Sequence, residues 1–155
     1  KASVINYYWC FLFFEQHDLN LILRNHKLIS KMSNPVIYFE IPVVDLERAR
    51  KFYKKVFNFS FENEIIDGYN MMFFPFNESD KGISGALVKG DVYKPTINGV
   101  ILYFNTDDID NTLKNVEEQN GVIMYSKTYN AKYNFYVAEF QDSEGNRIAL
   151  QQFLD

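Results

Sequence analysis

The same order of predicted helices and strands occurs twice along the chain. This internal repeat restricts the possible folds more than any other feature of the sequence. Three pairs of positions match at an offset of 63 or 64 residues: Asp45-Leu46 with Asp108-Ile109, Tyr69-Asn70 with Tyr133-Asn134, and Gly82 with Gly145. Agreement in order, element type and turn residues indicates two copies of one supersecondary unit.

Each copy is predicted to contain a strand, a helix and three more strands. In the first copy the strands cover residues 36–43, 59–65, 69–76 and 83–88, and a helix capped by Asp45 follows the first strand. In the second copy the strands cover residues 100–104, 122–128, 133–140 and 147–151, and the helix covers residues 107–119. Asp67-Gly68 predicts a tight turn, and Asn120-Gly121 predicts a helix that ends at its glycine. We therefore expect an α+β domain of residues 32–155, built from modules 34–89 and 98–152.

Composition excludes several classes of protein. The net charge is −4, and no basic run is interleaved with aromatic residues, so a nucleic-acid partner is not expected. Cys10 is the only cysteine, and His17 and His26 are the only histidines, which argues against a disulfide framework and against a Cys/His metal centre. The aromatic fraction of 17% suits a sheet with a large cavity or interface, but it also suits a genome with a low GC content.

The first 31 residues differ in character from the rest of the chain. Their apolar stretch at residues 4–14 is shorter than the roughly 20 residues that span a membrane, and no small-x-small cleavage site follows it. We interpret residues 1–31 as extraneous or disordered, with Met32 as the first plausible start. Two alternatives stay open: an amphipathic helix that uses Leu12, Leu19, Ile22 and Leu23, or an atypical membrane anchor.

Three segments resemble the vicinal oxygen chelate superfamily, which includes glyoxalases, bleomycin-resistance proteins and extradiol dioxygenases. They are VIYFEIPVVDLERARKFYKKVFNFSFE, YFNTDDIDNTLKNVEEQNGV and AEFQDSEGNRIALQ, and the Phe-x-Asp-x-x-Gly-Asn turn at residues 140–146 is the most specific piece. The resemblance covers residues 34–152 and looks nearest to predicted lactoylglutathione-lyase-related proteins. It implies two βαβββ modules that form an eight-stranded open cup with the helices outside.

The resemblance also indicates where metal-dependent members hold their metal. Carried over to this chain, the ligand positions are Tyr38 and Ile101 on the first strands and Ala86 and Ala149 on the last strands. These side chains cannot form a first-row metal site, which needs three or four N, O or S donors. A register slip of two residues would bring in only the weak set Glu40, Tyr103 and Gln151. We expect no metal and no other cofactor.

Strand alternation predicts which polar side chains share the cup. They are Tyr38, Glu40, Ser84, Tyr103, Arg147 and Gln151. Glu40 is the main catalytic candidate and could serve as a base, because burial among aromatic rings would raise the pKa of its carboxylate. Tyr38 is the other candidate for acid–base chemistry. In the structural alternative, Glu40 pairs with Arg147 or lies at a solvated mouth. The side that Glu139 faces is left undetermined, because residues 135–138 are all apolar.

Two functions follow from this cup. The first is metal-free binding of a small molecule. The alternative is a metal-independent lyase or isomerase that acts on a small carbonyl metabolite through Glu40 or Tyr38. A weaker third interpretation is an interaction domain whose cup is filled by its own side chains. We further expect a cytoplasmic protein without a membrane partner. We expect it to form a homodimer, because half-open cups expose strand edges and apolar surface that a second copy can cover.

Overall fold

The computed structural model describes residues 35–154, and ten elements follow one another in this range. Module 1 contains β1 (Phe39–Pro42), α1 (Leu46–Phe57), β2 (Glu62–Ile66), β3 (Tyr69–Phe73) and β4 (Gly85–Lys89). Module 2 contains β5 (Leu102–Asn105), α2 (Ile109–Glu118), β6 (Val122–Asn130), β7 (Phe135–Gln141) and β8 (Arg147–Phe153). The predicted α+β fold of two βαβββ modules is confirmed. The expectations about residues 1–31, including Cys10, His17 and His26, lie outside the described residues.

Each module builds its own open, four-stranded sheet. The strand order is β1-β4-β3-β2 in module 1 and β5-β8-β7-β6 in module 2. The first strand of each module pairs in parallel with the last, and the other neighbours are antiparallel. The parallel pairs require a long connection, and the module's helix lies within it. The two sheets therefore share one pairing scheme, and equivalent positions can be compared directly.

One core fills the space between the helices and one face of each sheet. Its buried residues include Ile41, Met72 and Leu87 of sheet 1, Phe140, Ile148 and Leu150 of sheet 2, and Ala49, Phe52, Tyr53, Val56, Ile109, Leu113 and Val116 of the helices. The predicted parity is confirmed for β1, β5 and β8. The predicted strands 36–43 and 100–104 are too long at their beginnings, because Ile37 and Val100 precede the observed strands and are exposed. The opposite face of each sheet is the cup face.

The first helix begins after Asp45 as predicted, whereas the second begins at Ile109, two residues later than predicted, and ends for a different reason. The side chains of Asp45 and Asp108 accept hydrogen bonds from the backbone N–H groups of Arg48 and Asn111, at 3.0 and 3.1 Å. After α2 the left-handed residue is Asn120, with φ of 63°, and not Gly121. A Cβ on Gly121 would lie 2.6 Å from a methyl carbon of Val116, so close packing is what requires glycine there.

The turn between β7 and β8 joins the two modules. The carboxylate of Asp142 is buried, and its Oδ1 accepts hydrogen bonds from the three backbone N–H groups of residues 144–146 at 2.8 to 2.9 Å. Its Oδ2 accepts from the Tyr53 hydroxyl of α1 at 2.8 Å and from the Asn146 amide at 3.0 Å. Asn146 also donates to the Pro42 carbonyl of β1 at 2.9 Å. The most specific motif of the sequence thus has a structural role.

Glu144 strengthens the same junction. Its carboxylate accepts from the Arg48 guanidinium at 2.7 Å and from the backbone N–H groups of Val44 and Asp45 at 3.0 Å each. Burial opposes its ionisation, but the hydrogen bonds from Arg48 and from these N–H groups outweigh burial and hold the pKa of Glu144 below its usual value. Because Asn146 immediately precedes Arg147, the junction fixes where β8 begins and how it is oriented.

Candidate functional site

The cup face of sheet 2 carries a patch of polar side chains around one small residue. Ala149 is fully buried, and its neighbours across the sheet are Tyr103 on β5 and Glu139 on β7. Arg147 and Gln151 lie two positions before and after it on β8, so their side chains face the same side. We call these five residues the module 2 patch. It unites three residues predicted from the sequence with Glu139, which the sequence left undetermined.

An ion pair forms the most ordered part of this patch. The Arg147 Nε donates to Glu139 Oε2 at 2.7 Å, and Arg147 Nη2 contacts the same oxygen. The Glu139 side chain is 16% exposed and the Arg147 side chain 36% exposed, so the cation is the more accessible partner. Arg147 Nη1 makes no hydrogen bond within the described part of the chain. One edge of the guanidinium is therefore engaged, and the other is open.

The other polar groups of the patch are also available. Tyr103 is 56% exposed, and neither its ring nor its hydroxyl has a partner among residues 35–154. The side-chain amide of Gln151 is half-buried and makes no hydrogen bond within the same range. Tyr125, which pairs with Glu139 from β6, adds a second exposed ring on this face. Donors and acceptors that converge beside aromatic rings are typical of ligand sites.

The cup face of sheet 1 has the same geometry and a different content. Ala86 occupies the position equivalent to Ala149, with Glu40 and Phe73 as its cross-strand neighbours. Met71, Ala86 and Val88 form a buried apolar cluster on this face. The partly buried hydrophobic residues that pack against this cluster are Tyr38, Ile66, Tyr69, Phe73 and Tyr93. Most of this face is filled by the protein's own side chains.

Tyr93 comes from the linker between the modules and closes the sheet 1 face. Its ring packs edge-on against Tyr69 with centroids 5.5 Å apart, and its hydroxyl donates to Glu40 Oε2 at 2.7 Å. Burial, followed by the hydrogen bond to Glu40, raises the pKa of Tyr93 well above its usual range. Gly90 permits this arrangement, because a Cβ there would lie 2.4 Å from the Tyr69 ring. The sequence predicts no role for this segment, which lies between modules 34–89 and 98–152.

Three expectations about the cup need correction. Glu40 is exposed rather than buried among rings, and its partner is Tyr93, whereas Arg147 pairs with Glu139. Ser84 precedes β4, and its hydroxyl donates to the carbonyls of Phe74 and Pro75, so it stabilises its own hairpin. Strand alternation placed Glu40 and Arg147 on the cup face correctly, but it does not predict which neighbour each polar group pairs with. Tyr38 is half-buried, with its ring 6.4 Å from that of Phe73.

A concave region lies away from the patch, at the beginning of α1. This groove has a volume of about 360 Å³ and is lined by residues that include Asp45, Arg48, Lys51 and Ser143. Several of its polar groups are already engaged, because Glu144 accepts hydrogen bonds from the backbone N–H groups of Val44 and Asp45 and from the Arg48 guanidinium. The guanidinium of this groove is therefore less available to a ligand than that of Arg147.

Comparison with known proteins identifies the family. The sequence profile of the Glyoxalase/Bleomycin resistance protein/Dioxygenase superfamily matches residues 36–150. The chain belongs to this superfamily. No curated protein sequence gives a significant match.

Solved structures agree with this membership at the level of the fold. A hypothetical protein from S. aureus is 20% identical, with a TM-score of 0.57 over 79% of this chain and 99% of that chain. A superfamily enzyme from Burkholderia phytofirmans PsJN is 17% identical, with a TM-score of 0.57 over 76% of this chain and 97% of that one. Glyoxalase I from Zea mays is 19% identical with a TM-score of 0.57, and this chain spans 47% of its length.

Metal-dependent members of the superfamily imply a divalent ion, and the residues present do not fit one. Ala86 and Ala149 offer only buried methyl groups at the last-strand positions. The nearest carboxylates across the sheet are Glu40, bonded to Tyr93, and Glu139, bonded to Arg147. Within residues 35–154, no three His, Cys, Asp or Glu side chains are grouped so that they could hold a metal ion. We derive no chemistry through a metal here.

Among residues 35–154, no helix is long and apolar enough to cross a membrane.

Proposed function

We propose that this superfamily member binds a small organic molecule in its cup without a metal ion. The observation that carries the proposal is the module 2 patch, where Tyr103, Gln151 and the outer edge of Arg147 present polar groups that no described residue uses. Polar groups that converge beside aromatic rings are typical of ligand sites. The poor donor set for a metal supports the metal-free form of the proposal.

We also propose that the protein acts as a cytoplasmic homodimer. Both sheets are open, with β1, β2, β5 and β6 as edge strands, and the cup faces carry exposed rings such as Tyr103 and Tyr125. A second copy would cover such edges and rings. Sedimentation equilibrium at micromolar concentration tests this, and a monomer would contradict it.

Binding is tested by saturation-transfer NMR with a set of small aromatic and polar fragments. We expect several fragments to bind the wild-type protein and to lose most of their signal in the double variant Tyr103→Ala/Gln151→Ala. Tyr133→Ala is a matched control, because Tyr133 is an exposed tyrosine outside the patch. If no fragment binds, or if the double variant binds as the wild type does, the proposed site is wrong.

The metal-free form of the proposal needs its own measurement. Elemental analysis of the tag-free protein after extensive dialysis should find far less than one equivalent of zinc, nickel, iron or manganese. About one equivalent retained, and lost on Glu40→Gln, would instead support the alternative register that uses Glu40.

The hydrogen bond between Glu40 and Tyr93 supports a second candidate, a metal-independent lyase or isomerase that acts on a small carbonyl metabolite. A carboxylate and a phenol 2.7 Å apart at a cup rim can exchange a proton with a ligand. Glu40, or Tyr38 on the same face, would serve as the acid or base. Deuterium incorporation into small ketones and aldehydes tests this. The exchange should require the protein and should disappear in Glu40→Gln.

A further inference from the structure

We infer that the module 2 patch recognises the carboxylate group of a flat, unsaturated organic acid, with Arg147 as the residue that binds the carboxylate. This inference rests on the proposed binding function and names the chemical class of its ligand. It depends on three features of the patch: the open edge of one guanidinium, the charge balance around it, and the exposed aromatic ring beside it.

The first feature is the geometry of Arg147. A guanidinium has two edges that can each donate two parallel hydrogen bonds. The edge formed by Nε and Nη2 is directed at Glu139, since both atoms contact Oε2. The remaining edge, formed by Nη1 and the second N–H of Nη2, has no acceptor within residues 35–154. Two parallel donors match the two oxygens of a carboxylate.

The second feature is the charge of the patch. Glu139 neutralises Arg147, so a cationic ligand would have to displace the guanidinium from the less accessible partner. An anionic ligand at the outer edge would contact Arg147 directly and would lie farther from Glu139. Because Coulomb energy falls with distance, attraction by the guanidinium exceeds repulsion by the carboxylate. Glu139 also holds the guanidinium in one orientation, which favours binding through two parallel hydrogen bonds.

The third feature is the aromatic ring next to Arg147. Ala149 is fully buried, so a ligand would contact the larger residues around it. The Tyr103 ring lies directly across the sheet from Ala149, is 56% exposed and has no stacking partner among the described residues. A planar group can lie against that ring. Gln151, beyond Ala149, is placed to bond a second polar atom of the ligand.

The test compares three probes that share one planar scaffold and differ in charge: cinnamate, cinnamamide and cinnamylamine. Dissociation constants are measured by NMR titration at pH 7.5 and low salt. Cinnamate should bind about tenfold more tightly than either other probe, because only it forms a charge-assisted pair with Arg147. Raising the salt concentration should weaken cinnamate binding and leave cinnamamide binding nearly unchanged.

Variants separate the role of Arg147 from a general effect of charge. Arg147→Gln should weaken cinnamate about tenfold, whereas Lys114→Gln, which removes the same charge from an exposed helix position, should have little effect. Because Arg147→Gln leaves Glu139 without its partner and can reduce folding, a second variant is needed. Glu139→Gln keeps the guanidinium and removes the opposing charge, and it should tighten cinnamate binding several-fold.

The outcomes distinguish this inference from the proposed function. If cinnamamide or cinnamylamine binds as tightly as cinnamate and Tyr103→Ala abolishes that binding, the ligand class is wrong while binding of small molecules stands. If cinnamate binds equally to the wild type, Arg147→Gln and Glu139→Gln, the inference is overturned. If no probe binds at millimolar concentration, the inference also fails, and the fragment screen alone decides the proposed function.

Discussion

The two cup faces have the same pairing scheme but differ in what surrounds the central alanine. Around Ala86 of sheet 1, the equivalent positions hold Glu40, Phe73, Ser84 and Val88. Around Ala149 of sheet 2, they hold Tyr103, Glu139, Arg147 and Gln151. Sheet 1 is mostly apolar and covered by Tyr93, whereas sheet 2 is polar and open.

The helix-facing sides do not differ in this way. In both modules the strands present Ile, Leu, Met or Phe to the shared core, and each helix buries four residues. Close packing restricts those positions, because a change of one methylene is costly inside a core. The cup face of sheet 2 is free of that restriction at its exposed positions, and the two modules differ on their cup faces. This asymmetry is why we assign ligand contact to module 2.

The largest effect on stability is expected from disrupting the turn between β7 and β8, which joins module 1 to module 2. Asp142→Ala removes the acceptor for three backbone N–H groups, the Tyr53 hydroxyl and the Asn146 amide. Loss of a buried, hydrogen-bonded carboxylate should lower the free energy of unfolding by about 3–5 kcal/mol. Urea denaturation followed by circular dichroism measures this change.

Asp110→Ala is the control for that change. It removes an exposed carboxylate that pairs with Lys127, and it should lower the free energy of unfolding by about 1 kcal/mol or less. Equal losses of unfolding free energy in the two variants would show that the β7–β8 turn does not contribute more to stability than an exposed ion pair does.

The next largest effect on stability is expected when one tyrosine from each cup face is replaced and the two variants are compared. Tyr93→Ala removes the ring that covers sheet 1 together with its hydrogen bond to Glu40, and should lower the free energy of unfolding by about 1–3 kcal/mol. The uncovered apolar cluster should then bind the dye ANS. Tyr103→Ala on sheet 2 should change stability by about 0.5 kcal/mol or less and should not increase ANS fluorescence. Similar results for the two variants would contradict the conclusion that the sheet 1 face is filled and the sheet 2 face is open.

Acid should weaken the junction through Glu144. Its pKa in the folded protein lies below the ordinary value of 4.5, so its contribution is present above that pH and is lost as the pH falls through the folded value. Glu144→Gln should therefore reduce stability at pH 7 and approach the wild type at low pH. Urea midpoints measured between pH 7 and pH 3 test this. Glu47→Gln, which removes an exposed carboxylate from α1, should leave the pH dependence almost unchanged.

Much of the fold was predictable because its signals are local. The capping residue Asp45 and the alternation along β1, β5 and β8 each depend on a few neighbouring residues. The repeat offset placed Asp108 at the position equivalent to Asp45, although its capping role was not predicted. The cup-face parity of Tyr103, Arg147 and Gln151 followed from the same alternation. Gly121 is an instructive exception, because its requirement comes from Val116 and from elements distant in sequence.

The partners on the cup faces were not predictable in the same way. β7 is apolar along residues 135–138, so period-two alternation could not orient Glu139. The length of the turn at residues 142–146 is the signal that could have done so, since it pairs Gln141 with Arg147 and therefore Glu139 with Ala149. Tyr93 lies in a linker, and only the tertiary path of that linker brings it to Glu40.

The smallest effect concerns Ser84, the module 1 equivalent of Arg147. If both faces contacted the ligand equally, Ser84→Ala would weaken binding. In the structure the hydroxyl bonds to the carbonyls of Phe74 and Pro75, so its loss removes hydrogen bonds within the hairpin and should lower stability by about 0.5–1 kcal/mol. Cinnamate affinity should stay within about twofold of the wild type, in contrast to the tenfold loss in Arg147→Gln. A weakened affinity with unchanged stability would place Ser84 in the site and remove the asymmetry between the faces.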